Sequence, residues 1–334
     1  MLERKMSSPK FAPIVLFVYS RTDCLIKTVD ALKNNYHADK SELYIFSDGP
    51  KDGQEEKINK VRSYIRTITG FKRIEIIESP RNNGLANSII SGVTEIVNRY
   101  GKIIVLEDDL VTSPYFLKYM NDSLVSYEND SDVACLCGYT YPISPTIKER
   151  SFFIRGADCK GWGTWKRAWD MFEIDAQKLK VILKKEKLQK KFNFDCAYPY
   201  MDMLQDQING YIDSWAIRWL ASAIINNQLC LYPTKSLVQD IGMGIPDSTH
   251  CTMQTNYFEV YLDVVTSSWE KISVSESKEM FELYAQYLLK LKGTFYLLRR
   301  GLSVLKYNLI RFMPAMERYI NYFENLFMRR KLIK

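Results

Sequence analysis

Residues 102–109 read Lys-Ile-Ile-Val-Leu-Glu-Asp-Asp, and this stretch decides the fold. Its four apolar, mostly β-branched residues predict a short buried strand, which ends at three consecutive acids. Similar apolar runs occur earlier, at residues 14–19, 43–46 and 74–77, and segments with helical spacing of apolar residues follow them. Short strands that alternate with longer helices predict an α/β fold with a doubly wound, mostly parallel sheet.

The residues that follow these strands are the candidate functional residues, because such sheets bind ligands outside the carboxyl ends of their strands. They are Ser20 and Arg21, Asp48 and Gly49, residues 81–84 and residues 107–109. Three adjacent acids at the mouth of a buried strand repel one another and lose hydration, a cost that a bound cation offsets. Oxygen ligands suit Mn²⁺ or Mg²⁺. The alternative interpretation is that the acids cap a helix that begins near Ser113.

The composition is typical of a soluble globular protein. Of 334 residues, 46% are hydrophobic and 25% are charged, which excludes disordered and fibrous proteins. The apolar runs are far shorter than the roughly 20 residues that span a bilayer, and the polar start lacks the apolar stretch of a secretory signal. Seven scattered cysteines without a C-x-x-C pair indicate reduced thiols, and two histidines exclude a site of three imidazoles. We therefore expect a cytoplasmic protein.

The net charge of +7 comes from the C-terminal segment, residues 290–334. This segment holds eleven Lys or Arg and two Glu, a net +9, so residues 1–289 carry a net −2. Its basic, aromatic-rich and amphipathic pattern predicts peripheral binding to the anionic inner face of the cell membrane. The alternative is a helix that packs against the catalytic body or against a second copy in a homodimer. The slightly acidic remainder argues against nucleic acid as a partner.

The second half of the chain has a less regular pattern. Short strands are predicted at residues 133–137, 152–154 and 230–232, and helices at residues 178–191, 213–226 and from about 277 onward. Glycines in residues 161–165 predict a turn that leads into a helix. The lysine-rich segment 178–191 is interpreted as a solvated helix face.

The ordered series of motifs at the strand ends resembles the GT-A nucleotide-sugar glycosyltransferases. The series is Ser-Arg at 20–21, Ser-Asp-Gly at 47–49, Arg-Asn-Asn-Gly-Leu-Ala at 81–86 and Val-Leu-Glu-Asp-Asp-Leu at 105–110. The last form is similar to N-acetylglucosaminyltransferase I and to bacterial glycosyltransferases that build surface polysaccharides. Residues 155–165, 213–219 and 240–250 continue the resemblance, which covers roughly residues 12–252.

This resemblance implies a Rossmann-like GT-A fold with a smaller acceptor-side region and C-terminal helices. It implies a metal-dependent, inverting hexosyl- or N-acetylhexosaminyltransferase. Such an enzyme moves a sugar from a nucleotide sugar, here a UDP-sugar by the same resemblance, to a hydroxyl of a bacterial surface glycan precursor. The acceptor would be a glycan or a lipid-linked glycan. The chain then divides into a polar tail (1–10), a nucleotide-sugar-binding half (11–130), an acceptor-binding and catalytic half (131–275) and a basic amphipathic helical extension (276–334).

The resemblance also implies roles for individual residues on the donor side. Asp109 looks like the direct ligand of Mn²⁺ or Mg²⁺, which would bridge the donor diphosphate. Glu107 and Asp108 would orient the metal's waters and the donor's ribose and sugar. Asp48 resembles the acid that accepts a hydrogen bond from the uracil ring. The remaining donor contacts that the resemblance implies are Arg21, Arg81, Asn83 and Gly84.

On the acceptor side, the resemblance assigns Asp213 as the catalytic base. The alternative for this acid is an N-cap of the helix that follows, and Asp202 and Asp206 lie close enough in sequence to be rival bases. His250 matches a family position that makes a further metal or diphosphate contact, and its alternative is a solvated loop histidine.

Five of the six tryptophans fall in two short segments, residues 162–169 and 215–219. Aromatic faces stack on sugars, and a Gly-Trp-Gly turn projects an indole into a cleft. We therefore assign Trp162 and Trp215 to the acceptor side, and Trp165 and Trp169, which are four residues apart, to the core.

Two functions from other classes remain as alternatives. A nucleotidyltransferase that acts on sugar phosphates shares the sheet and the acidic metal site, but it normally carries a glycine-rich phosphate loop after the first strand. Residues 19–22 contain no glycine at that position. The other alternative is a non-enzymatic, membrane-peripheral binding scaffold whose working surfaces are the basic segments.

Overall fold

The computed structural model describes residues 11–243 and 258–292. Ten strands occur in this part of the chain. In chain order they are β1 (Ile14–Val18), β2 (Glu42–Ser47), β3 (Arg73–Glu78), β4 (Lys102–Glu107), β5 (Leu110–Thr112), β6 (Val133–Cys137), β7 (Ser151–Arg155), β8 (Trp162–Trp165), β9 (Leu229–Pro233) and β10 (Val238–Asp240).

Ten α-helices occur in the same residues, together with a 3₁₀ turn at Ala38–Lys40. They are α1 (Thr22–Lys33), α2 (Glu55–Ile65), α3 (Leu85–Tyr100), α4 (Phe116–Ser126), α5 (Lys166–Trp169), α6 (Ala176–Lys185), α7 (Gln189–Phe192), α8 (Tyr200–Ile208), α9 (Trp215–Ile225) and α10 (Lys278–Leu291). None of these helices combines the length and the apolar character that crossing a bilayer requires.

Eight strands form one sheet in the order β3-β2-β1-β4-β8-β6-β9-β7, while β5 and β10 pair as a small antiparallel sheet. The strands from β3 to β4 in this order are all parallel, so their carboxyl ends meet at one edge. Strand β8 runs antiparallel to both β4 and β6 and joins the two predicted halves of the chain in one continuous sheet. The predicted α/β fold with a mostly parallel sheet is therefore confirmed.

Strands β1 and β4 form the centre of the core. All five residues of β1 and the first five of β4 are buried, as expected when helices cover both faces of a parallel sheet. Right-handed crossovers place α1 and α2 on one face and α3 on the other. Helix α3 approaches closely at Gly92, where a Cβ atom would lie 2.9 Å from the ring of Phe17. Each fully buried aliphatic side chain in this core contributes about 1.5–3 kcal/mol.

Two predictions of local structure in the second half are wrong. Residues 162–165 form strand β8 rather than a turn. Only Gly161 has a positive φ, of 60°, and Gly163 lies within the strand, where a Cβ atom would approach the backbone oxygen of Ile103 to 3.2 Å. The predicted helix at 178–191 is two helices, α6 and α7, because the backbone changes direction at Lys187, whose φ is 57°.

The predicted C-terminal extension begins with α10, which packs on the body of the protein. Ser277 caps this helix by accepting a hydrogen bond from the backbone N–H of Met280. Tyr284 is buried against the rings of Phe152 and Tyr232, at centroid distances of 5.8 and 5.4 Å. Helix α10 is therefore part of the body of the protein, and both interpretations of the basic segment, residues 290–334, stay predictions. Residues 293–334 lie outside the described part of the chain.

Candidate active site

The three acids after β4 lie in the turn between β4 and β5, which we call the acidic turn (Glu107, Asp108 and Asp109). Asp108 is buried, with 3% of its side chain exposed, and Asp109 is more accessible, with 16% exposed. The backbone N–H of Tyr19 donates to Asp108 Oδ2 at 3.2 Å, and Thr28 Oγ1 donates to the Asp108 carbonyl oxygen at 3.0 Å. These contacts fix the acidic turn against the end of β1 and against α1.

Arg21 is the counter-charge of the acidic turn. It follows β1, the strand that pairs directly with β4, so the parallel arrangement brings the two strand ends together. Its guanidinium forms ion pairs with Asp108 and with Asp109, the latter at 2.8 Å between Nη1 and Oδ2. The structure thus brings together four of the predicted site residues, since Glu107 is the last residue of β4.

The acidic turn carries more negative charge than Arg21 balances. Burial, together with the charges of Asp109 and Asp108, raises the pKa of Glu107 to about 8. Burial also raises the pKa of Asp109 to about 6, although the Arg21 charge acts in the opposite direction. A carboxylate in such surroundings is stabilised by any additional cation.

A second turn, residues 240–242, covers the acidic turn from the other side. Strand β10 pairs with β5, and the backbone N–H of Ile241 donates to the Asp109 carbonyl oxygen at 2.9 Å. A Cβ atom at Gly242 would collide with the Asp109 carboxylate, so a larger residue there would displace the Asp109 side chain. Asp240 itself forms an ion pair with Lys160, at 2.8 Å between Oδ2 and Nζ. No local sequence pattern marks Lys160 as a site residue.

The charges and the ligand atoms of this site fit a divalent cation. The acidic turn and Asp240 supply four carboxylates, whereas Arg21 and Lys160 supply two cationic groups, which leaves two negative charges when all are ionised. No three His, Cys, Asp or Glu side chains within residues 11–243 and 258–292 form a complete metal cage. A cation at this site would therefore need substrate oxygens and water as ligands besides protein carboxylates, as is common for Mg²⁺.

Asp48 organises the loop between β3 and α3. Its carboxylate accepts hydrogen bonds from the backbone N–H groups of Asn83, at 2.9 Å, and of Gly84, at 3.0 Å, and from the side-chain amide of Asn82 at 3.2 Å. The backbone N–H of Gly49 donates to the same carboxylate at 2.9 Å. These four donors match the acceptor capacity of a carboxylate. In this arrangement, the predicted hydrogen bond from a uracil ring would have to displace one of them.

The loop that contains Arg81 and Gly84 follows β3, contacts the end of β2 and leads into α3. A Cβ atom at Gly49 would lie 2.3 Å from the carbonyl carbon of Arg81, so the two loops touch through their backbones. Gly84 has a φ of 81° and occupies the N-cap position of α3. A Cβ atom there would lie 3.7 Å from Asp213 Oδ2, which places the predicted base beside the start of α3.

Asp213 is accessible, with 58% of its side chain exposed. It is not the N-cap of α9, because Ser214 holds that position and accepts a hydrogen bond from the backbone N–H of Ile217. The guanidinium of the buried Arg218 lies 3.5 Å from Asp213 Oδ1. Asp206, one of the rival bases, is buried in α8, so a substrate hydroxyl does not reach it in this arrangement.

The placement of Trp162 and Trp215 on the acceptor side is corrected by the structure. Their side chains are 1% and 3% exposed, and their rings stack on each other at a centroid distance of 5.2 Å. Trp169 and Trp219 pack around Trp162 at 5.8 and 6.2 Å. Because other rings cover them, neither indole has a face free for a sugar. Trp165 and Trp169 are buried in the core, as predicted.

His250 lies outside the residues that the structure describes, so its predicted ligand role stays a prediction. The remaining predicted residues form two groups in the structure. The first is the acidic turn with Arg21, and the second is Asp48 with residues 81–84 and Asp213.

Comparison with known proteins identifies one family. The model of glycosyl transferase family 2 matches residues 14–201, which is more than half of the chain and includes strands β1 to β8. No curated protein sequence matches the chain significantly.

Several solved structures are similar to parts of the chain. The mannosyltransferase PcManGT from Pyrobaculum calidifontis, in complex with GDP-Man and Mn²⁺, is 15% identical with a TM-score of 0.30, over 40% of this chain and 38% of that one. TarS from S. aureus is 10% identical with a TM-score of 0.38, over 68% and 36%. Its fragment 1–349 is 8% identical with a TM-score of 0.36, over 69% and 60%. The matched region thus spans less than two thirds of each of these chains.

Proposed function

The chain belongs to glycosyl transferase family 2, and on this premise we propose that it transfers a sugar from a UDP-sugar to a hydroxyl of a bacterial surface glycan precursor, with inversion and with Mn²⁺ or Mg²⁺. The observation that carries this proposal is the acidic turn. Its carboxylates and that of Asp240 outnumber the cationic groups of Arg21 and Lys160 by four to two at the carboxyl edge of the sheet, where such folds bind their ligands.

On the donor side, Asp109 would hold the cation, and Glu107 and Asp108 would orient its water ligands and the donor's ribose and sugar. The cation supplies positive charge that stabilises the departing diphosphate. Arg21 keeps Asp108 and Asp109 in place through its two ion pairs, and it brings a further positive charge to the phosphate region. UDP is proposed from the resemblance of the Ser-Asp-Gly motif at residues 47–49 to a uracil-binding site, where a uracil N–H would displace one of the present donors to the Asp48 carboxylate.

Asp48 shapes the nucleotide site through the loop that it holds. Its hydrogen bonds fix the backbone of Asn83 and Gly84 at the start of α3. Arg81, in the same loop, lies against Gly49 and completes this wall of the donor site. The start of a helix is a favourable place for the negatively charged groups of a nucleotide sugar.

Asp213 acts as the base that takes the proton from the acceptor hydroxyl. Its carboxylate is exposed, lies beside Gly84 and is not used as a helix cap, so it is accessible to a hydroxyl next to the donor loop. Attack from the side opposite to the departing diphosphate inverts the anomeric centre. The acceptor is a glycan or a lipid-linked glycan.

Hydrolysis of a nucleotide-sugar panel tests this function without knowledge of the acceptor. With Mn²⁺, we expect slow release of UDP from one or a few UDP-sugars, and we expect EDTA to lower that rate at least about 100-fold because the diphosphate loses its stabilising charge. The measurement is UDP release at fixed protein concentration, with GDP-sugars as the matched comparison. Equal rates with EDTA and with Mn²⁺ would contradict the metal requirement, and preference for GDP-sugars would contradict UDP.

Residues 293–334 are proposed to hold the protein on the inner face of the cell membrane. They contain nine Lys or Arg and two Glu. Deleting them is expected to weaken cosedimentation with vesicles that contain anionic lipid at least about 10-fold, because each cationic residue near such a surface contributes about 1 kcal/mol. UDP-sugar hydrolysis by the truncated chain is the control for folding. If vesicle binding persists while the oligomeric state changes, the segment binds a second copy of the chain instead.

A further inference from the structure

Lys160 is a largely buried cation for which the proposed reaction has no role. It lies in the loop between β7 and β8, and its Nζ atom is 2.8 Å from Asp240 Oδ2, with 20% of the lysine side chain exposed. The rings of Tyr139 and Phe258 each lie 4.7 Å from the same nitrogen. Removing an ammonium group from water is costly unless a charge and aromatic faces compensate. All three compensating groups are present here, so this lysine has a defined position.

Asp240 connects Lys160 to the acidic turn. Its Oδ1 atom accepts a hydrogen bond from the backbone N–H of Gly242 at 2.9 Å, which closes the turn at residues 240–242. Within that turn, the N–H of Ile241 donates to the Asp109 carbonyl oxygen at 2.9 Å, and the backbone of Gly242 lies against the Asp109 carboxylate. The turn therefore contacts both the backbone and the side chain of Asp109.

The charge of Asp240 also bears on the acidic turn. The Gly242 backbone contacts both the Asp240 and the Asp109 carboxylates, so these two negative charges lie near each other. Lys160 supplies the positive charge that offsets that of Asp240. Without Lys160, the negative charge of Asp109 would repel that of Asp240, the residue that organises the 240–242 turn.

We propose that Lys160 is a positioning residue for Asp109, acting through Asp240 and the turn at residues 240–242. The inference rests on the proposed function, because Asp109 is the acid assigned there to the cation. The effect of Lys160 is to keep the 240–242 turn closed on Asp109 before the donor binds.

Four variants test the proposal. Lys160→Met removes the charge and keeps an unbranched side chain, Lys160→Arg keeps the charge, and Asp240→Asn breaks the same ion pair from the other side. Lys271→Met is the matched control, because Lys271 forms a comparable pair with Asp130 at 2.9 Å and lies 5.0 Å from the ring of Tyr127. Two quantities are measured: hydrogen–deuterium exchange of peptides covering residues 238–243 without metal or donor, and UDP-sugar hydrolysis with Mn²⁺.

In Lys160→Met, we expect exchange at Ile241 and Gly242 to become at least about 10-fold faster, because their hydrogen bonds open more often. We expect kcat to fall about 30-fold with little change in KM, since a misplacement of about 1 Å at a catalytic group can cost about 100-fold. Lys160→Arg should recover most of the protection and of kcat. Lys271→Met should leave both quantities unchanged.

Unchanged exchange at residues 238–243 in Lys160→Met would overturn the proposal, whatever the hydrolysis rate. Equal losses in Lys160→Met and Lys271→Met would overturn it as well, because they would indicate general destabilisation. If Lys160→Met does not fold, Asp240→Asn must show the faster exchange. Exchange at residues 238–243 of Asp240→Asn as slow as in the unaltered chain would then overturn the proposal. Faster exchange in a protein that hydrolyses no nucleotide sugar would uphold the positioning contacts and contradict the proposed function.

Discussion

Replacing Asp109 with Asn is expected to lower the rate of UDP-sugar hydrolysis at least about 1000-fold, because the amide keeps the shape of the side chain but loses the charge that binds the cation. Calorimetric titration with UDP, in the presence and absence of Mn²⁺, separates binding from chemistry. We expect the Mn²⁺-dependent part of UDP binding to disappear. Unchanged Mn²⁺-dependent binding would remove the metal assignment of Asp109.

Stability provides a second measure for the same substitution. Burial raises the pKa of Asp109 to about 6, above the usual value for an aspartate, so the ionised carboxylate is disfavoured by the fold at neutral pH. The neutral asparagine should therefore leave the free energy of unfolding unchanged or raise it. Asp170→Asn, which alters an exposed pair with Lys166, is the matched control and should preserve activity. Loss of activity through unfolding would appear as a lower denaturation midpoint.

Replacing Asp213 with Asn is expected to lower turnover about 1000-fold while the affinity for UDP and Mn²⁺ stays within about twofold, because a positioned base typically contributes 10²–10⁴-fold. The amide cannot accept the proton of the attacking hydroxyl. The exposed position of Asp213 and the capping role of Ser214 indicate that the substitution leaves α9 intact. The measurement pairs UDP calorimetry with UDP release from the donor that the panel identifies.

Asp202 in the first turn of α8 provides the comparison for the base assignment. Asp202→Asn should retain turnover close to that of the unaltered chain. If the Asp213 variant remains active and the Asp202 variant does not, the base is Asp202 and the role assigned to Asp213 is wrong. Loss of UDP affinity in the Asp213 variant would instead place this acid among the donor contacts.

The parts of the site that the sequence predicts are those with local signals. The acidic turn follows an apolar run directly, and the rule that parallel strand ends meet at one edge places Arg21 beside it. The hydrogen bonds of Asp48 could not be predicted in the same way. They depend on the backbone conformation of residues 82–84, including a φ of 81° at Gly84. No sequence pattern links this loop to the loop that contains Asp48.

The contacts that the sequence does not reveal join residues far apart in the chain. Lys160 and Asp240 are eighty positions apart, and neither flanking sequence indicates the other. Trp162 lies beside glycines, which favoured an exposed turn. Its burial depends on Trp215 and Trp219 in α9, a helix that begins more than fifty residues later.

The position of β8 limits how this protein can be recombined with its relatives. This strand forms hydrogen bonds with β4, in the first predicted half, and with β6, in the second, so it connects the two halves. A chimera joined near residue 130 would have to supply a foreign strand that matches the register of Ile104 with Gly163, or leave β4 with an exposed edge. Exchange of segments with relatives is therefore better confined to those outside the sheet.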